Sequence, residues 1–137
     1  MKKIERIARQ FRNALDAAWE DDMFRNLYPF NNFPIASMAA MLHDLHAYKT
    51  GSYDDHAHKG ADLAREILGE LGLTDRTETD MICSAIYHHD DKLVVDSPMD
   101  EVLKDADVIH HCMNDLSKPI KEKEQARFDK LCAEFGM

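Results

Sequence analysis

The stretch IASMAAMLHDLHAY, residues 35–48, decides how this chain is read. Its opening residues, Ile35 to Leu42, are small or apolar and carry no charge, which suits a buried helix. Pro34 stands just before them, at a favourable first-turn position, and the pattern predicts a helix from there to about Tyr48. At the end of the apolar run come the adjacent residues His43 and Asp44. Helical neighbours diverge by about 100°, so the two cannot share a face in the ordinary way. Near a helix C-terminus, however, both can lean toward one point at the end of a bundle.

Outward from this stretch the periodicity stays helical. Upstream, residues 3–22 place Ile4, Ile7, Phe11, Leu15, Ala18 and Trp19 on one face, and NLYPFNNFP (26–34) then breaks the helix with two prolines. Downstream, KTGSYDD (49–55) reads as a loop, with Asp54 or Asp55 placed to cap a third helix running to about Leu71. A fourth helix covers roughly 76–90 and sends Met81, Ile82, Ala85 and Ile86 inward. DDKLVVDS (90–97) is a loop or a very short extended piece. Ser97-Pro98 with Glu101 opens a fifth helix to about Leu116, and Pro119 begins a sixth with Phe128, Leu131, Cys132 and Phe135 inward. No segment shows a convincing strand period. The expected fold is an all-α bundle of five to seven helices, and 137 residues suffice for one domain with a real core.

Composition narrows the classes. A hydrophobic fraction of 45% and a mean hydropathy of −0.50 fit a soluble cytoplasmic protein, and no apolar run approaches the ~20 residues of a membrane span. The basic N-terminus carries Glu5 and lacks a signal peptide's apolar core. A formal charge of −9 disfavours nucleic acid as a bulk partner, since backbone binding needs a positive footprint. A small phosphorylated partner stays compatible, because a metal ion reverses the local field. Cys83, Cys112 and Cys132 form no CxxC pair and read as buried free thiols.

All eight histidines lie between positions 43 and 111. With Asp44, Asp105 and Asp107 they arrive one or two at a time from successive helices. Imidazole nitrogen suits iron, manganese, cobalt, nickel or zinc, and a carboxylate can bridge two ions through its two oxygens. A His/carboxylate set without cysteine argues for a catalytic rather than a structural metal site. Two ions about 3.5–4 Å apart can share a hydroxide that attacks phosphorus. Asp107 lies among apolar residues of the fifth helix, where a buried carboxylate needs a partner.

These residues resemble the HD-domain superfamily of metal-dependent phosphohydrolases. AAMLHDL (39–45) looks like its His-Asp segment. In DHAHKGADLAREIL (55–68) a histidine stands four residues before a Gly-Ala pair, which selects His56 over His58. AIYHH (85–89) selects His89 over His88, and LKDADVI (103–109) selects Asp107 over Asp105. The resemblance implies hydrolysis of a small, nucleotide-like phosphomonoester or phosphodiester. It implies that His43, Asp44, His56, His89 and Asp107 hold one or two divalent ions of the Fe, Mn, Co, Ni, Mg or Zn kind. Asp44 would bridge them as a catalytic residue, and Lys59 would contact the phosphate.

The family's leading histidine has no counterpart, since residues 1–42 contain no histidine. Asp16, Glu20, Asp21, Asp22, Asn31 and Asn32 are the nearest substitutes, and water or a second subunit of a homo-oligomer would also serve. The motif-bearing part is thus about 36–116 of a single domain over 1–137, with an atypical segment at 1–35. The absence also keeps an alternative in play, a non-catalytic HD relative that binds a ligand or partner. Other residues have plainer readings. His88 supports or is exposed, and His46, His58, His110 and His111 have no assigned task. Asp107 could simply pair with His110 or His111 one turn on. KEKEQAR (121–127) reads as a solvated helix face, and Met38, Met41, Met81 and Met113 as core filler.

Overall fold

The structure, a computed structural model, describes residues 33–114 and 116–136. The helix expected over 3–22 and the candidate substitutes at 16–32 lie outside the described residues. Those described form six α-helices and no strand: α1 Phe33–Leu42, α2 Leu45–Thr50, α3 His56–Leu71, α4 Arg76–His88, α5 Pro98–Asn114 and α6 Glu122–Phe135. No described helix is long and apolar enough to cross a membrane.

The helix expected to run unbroken to Tyr48 is interrupted at His43 and Asp44. His43 Nδ1 donates to the Ala40 carbonyl at 2.6 Å. A side chain that takes a local carbonyl competes with the backbone ladder, and the helix ends there. Asp55 does precede α3, yet its side chain makes no capping bond and instead pairs with His58 Nδ1 at 2.8 Å. At α4 the capping is complete: Asp75 accepts from the Glu78 N–H at 2.8 Å, and Glu78 accepts from the Asp75 N–H at 3.0 Å. The last helix starts at Glu122 rather than at Pro119.

Helix α4 is central, packing on α1, α3 and α5, while α6 packs on α5. The main core joins Ile35, Ala39, Ala61, Ala64, Leu68, Ile82, Ile86, Val102 and Leu103. A smaller cluster of Val108, Cys112 and Leu131 seats α6 with help from Phe128 and Phe135. Small residues let the helices approach closely around the His43 turn. A Cβ built on Gly60 would lie 3.3 Å from the His43 carbonyl oxygen and 3.5 Å from Ile86 Cγ2. Met38 and Met81 pack against the core, but Met41 and Met113 are exposed, because their helical phase turns them outward. The three cysteines are free thiols, Cys83 and Cys112 being buried.

Candidate metal centre

Three histidines are oriented by one device. Besides the His43 bond to Ala40, His89 Nδ1 donates to the Ile86 carbonyl at 2.6 Å and His56 Nδ1 to the Tyr53 carbonyl at 2.9 Å. A carbonyl can only accept, so each Nδ1 carries a proton and each Nε2 is turned toward the interior. Imidazoles that bind metals are held in this way, through the nitrogen that does not bind.

The Nε2 atoms meet the two carboxylates in a compact cluster. His43, His89 and Asp107 form one set whose donor atoms lie within 4.8 Å of one another, and Asp44, His56 and His89 form a second. His89 belongs to both. Asp44 spans them: its Oδ2 is 3.3 Å from His43 Nε2, while its Oδ1 is 3.5 Å from His89 Nε2 and 3.7 Å from His56 Nε2. Asp107 Oδ1 is 3.4 Å from His43 Nε2. Thus the five residues selected by sequence come together from the α1–α2 turn, α3, the end of α4 and α5.

Lys59 is half exposed, with its ammonium 3.9 Å from Asp54, and it forms no ion pair with Asp44 or Asp107. His88 Nδ1 donates to the Ser84 carbonyl at 2.8 Å and faces Asp100 rather than the cluster. Asp105 binds Arg127 at 2.8 Å.

The electrostatics favour positive charge at the centre. Burial alone would lower the His43 pKa, but Asp107 and Asp44 outweigh it and push it up to about 10. Burial lowers that of His89, against the pull of Asp44. For Asp44, burial is outweighed by His43 and His89, which hold the carboxyl well below its usual range. For Asp107, Lys92 and then His43 outweigh burial in the same direction. Asp107 Oδ1 is buried and accepts no well-formed hydrogen bond among the described residues.

The donor set fits a divalent ion. Ligands about 2.1 Å from an ion stand about 3.0 Å apart in a cis octahedral pair and about 3.4 Å apart in a tetrahedral one. The separations here, from 3.2 Å between His56 and His89 to 3.7 Å between His56 and Asp44, lie at or slightly above those edges. Nitrogen and carboxylate oxygen without thiolate suit a borderline or hard cation.

Lys92 and Glu124 escaped the sequence reading, and His111 entered it only as a partner for Asp107 one turn along the helix. Lys92 is buried in the loop after α4, and its ammonium donates to Asp107 Oδ2 at 2.7 Å and to the His89 carbonyl. His111 links two carboxylates, with Nε2 3.3 Å from Asp107 Oδ1 and Nδ1 2.7 Å from Glu124 Oε1. The plain pairing of Asp107 one turn along its helix therefore exists alongside the cluster. The run 121–127 is not wholly solvated. Glu124 is 2% exposed, and Arg127 reaches inward to Glu101, Asp105 and the Lys92 carbonyl. Their partners lie far off in sequence, so the charge run hid the pattern. Only the i, i+4 spacing of Asp107 and His111 signalled one of these contacts in the sequence.

The family model of the HD domain matches residues 4–112. That span covers most of the chain, including the segment before the motif-bearing part, and the chain belongs to the HD domain family. No curated protein and no solved structure matches it.

Proposed function

We propose that the protein is a metal-dependent phosphohydrolase acting on a small, nucleotide-like phosphomonoester or phosphodiester. One observation carries this reading. Three histidines, each held by a backbone carbonyl through Nδ1, present Nε2 to the carboxylates of Asp44 and Asp107 in two sets that share His89, the donor atoms of each set lying within 4.8 Å of one another. His43, His89 and Asp107 would hold one ion, and Asp44, His56 and His89 a second. Bound there, divalent ions supply Lewis acidity toward a phosphoryl oxygen and lower the pKa of water. Asp44 offers one oxygen to each set and fixes their spacing. Lys59, one turn beyond His56 on α3, is the cation proposed to meet the phosphate.

Elemental analysis of the purified protein and of Asp44→Ala tests the metal assignment. The parent is expected to retain Fe, Mn, Co, Ni or Zn and the variant to lose it, while equal metal content in both rejects the assignment. A screen of generic phosphoesters and nucleotides with added Mn, Co, Ni or Mg tests the activity. A second reading, a non-catalytic HD relative, is favoured by the absence of any histidine from residues 1–42. Metal retention without turnover of any phosphoester would select it.

A further inference from the structure

The side chain of Lys92 is 1% exposed, yet it ends in an ammonium within the interior. That ammonium has two acceptors, Asp107 Oδ2 at 2.7 Å and the His89 carbonyl. Arg127 secures the same residue by donating to the Lys92 carbonyl at 3.1 Å, and Lys123 holds the neighbouring Asp90 at 2.9 Å. Thus one lysine ties the end of α4 to α5 at the two residues that the first proposed ion would share with His43.

The two oxygens of Asp107 divide their work. Oδ2 belongs to Lys92, whereas Oδ1 faces His43 and His111 at 3.4 and 3.3 Å. A buried carboxylate without a counter-charge is strongly destabilising. Lys92 supplies that charge from within the fold, so the centre need not wait for an ion to be assembled. An ammonium beside the ligand also repels an incoming dication.

Accordingly, and resting on the metal reading above, we propose that Lys92 is a positioning residue that acts through its charge as the built-in counter-cation of Asp107. It keeps the metal-free centre folded and, in exchange, weakens divalent binding at the set of His43, His89 and Asp107. An orienting hydrogen bond alone would give the opposite sign for metal affinity, because loss of such a partner weakens binding by about 10- to 100-fold.

The experiment measures thermal melting of the full chain and of Lys92→Met, each in EDTA and in excess Mn2+, together with Mn2+ titration by calorimetry. In EDTA, Lys92→Met is expected to melt lower by on the order of 10 °C. Mn2+ is expected to restore more stability to the variant than to the parent, and Mn2+ affinity to rise by roughly ten-fold or more. Lys92→Gln, which keeps N–H donors without charge, is expected to show the same enlarged gain. It carries the test if Lys92→Met fails to fold. An equal loss of melting temperature in EDTA and in Mn2+, or weaker Mn2+ binding by either variant, overturns the counter-cation role. A parent that gains no stability from Mn2+ and binds none overturns the metal reading itself, which keeps the two failures distinct.

Discussion

His56 Nε2 and His89 Nε2 face each other at 3.2 Å, although each ring already donates its Nδ1 proton to a carbonyl. Two bare nitrogen lone pairs at that distance repel, so a proton or a cation must lie between them. The two residues nevertheless differ in reach, because His89 belongs to both donor sets and His56 to only one. His56→Ala is therefore expected to lose about half of the bound Mn2+ and His89→Ala nearly all of it. Stoichiometry by elemental analysis after desalting checks this. Equal losses in the two variants would show that the sets do not act as two positions.

The pH dependence of the metal-free protein follows from His43. Its folded pKa is raised from 6.5 to about 10, with burial opposing and Asp107 and Asp44 prevailing. A raised folded pKa means that the stabilisation is fully present below pH 6.5 and is lost as pH climbs toward 10. The slope from one such group is at most about 1.4 kcal/mol per pH unit. Asp44 and Asp107 are shifted downward, so their contribution is present above the usual carboxylate range and is lost in acid. In EDTA the protein is expected to be most stable between those limits and to weaken steadily from pH 6.5 to 10. Bound Mn2+ competes with the His43 proton and should flatten that decline. Urea midpoints across the pH range provide the measurement, and an EDTA curve that rises through pH 8 would contradict it.

Gly60 controls how closely α3 approaches the turn that carries His43 and Asp44. An added Cβ at 3.3 Å from the His43 carbonyl asks that turn to move by a few tenths of an ångström. Alanine meanwhile favours the helix over glycine by about 1 kcal/mol. Gly60→Ala is thus expected to leave global stability within about 1 kcal/mol of the parent while weakening Mn2+ binding by about ten-fold. Melting curves and Mn2+ titration on the same preparation separate the two effects. Unchanged affinity would show that the turn adapts without moving the ligands.

Much of this arrangement was legible because its signals are local. Apolar spacing reports which face of a helix is buried, and Ile82, Ala85, Ile86 and Leu131 lie where that spacing put them. His43, Asp44, His56, His89 and Asp107 were recognisable through the resemblance to HD-domain motifs, whose His-Asp pair and Gly-Ala, Ala-Ile and Ala-Asp neighbours each lie within a short stretch of chain. The helix break at His43 was not legible, because the apolar pattern runs through it and a side-chain bond to Ala40 ends the helix. Lys92, Lys104 and Glu124 were missed for a different reason. A buried charge looks in sequence like a surface charge, and only its partner, often on another element, reveals it. Glu124 is paired across the fold with His111, thirteen positions away, inside a run that reads as solvent-facing.

Lys104 offers a contrast to Lys92, since both are buried lysines but only one touches the centre. The Lys104 ammonium donates to Asp96 Oδ2 at 2.6 Å and to the Val94 carbonyl at 2.7 Å, and lies 3.0 Å from Glu101 Oε2. These contacts pin the loop between α4 and α5 against α5 at the end of the segment farther from His89 in sequence. Lys104→Met keeps the apolar stem and removes the charge. It is expected to lower the melting temperature by on the order of 5 °C. The loss should be equal in EDTA and in Mn2+, because none of these partners is a proposed ligand. If Lys104→Met instead showed a larger Mn2+ gain than the parent, loosening of the loop alone would account for such a gain. The same signature in Lys92→Met would then lose its meaning as evidence for counter-charge.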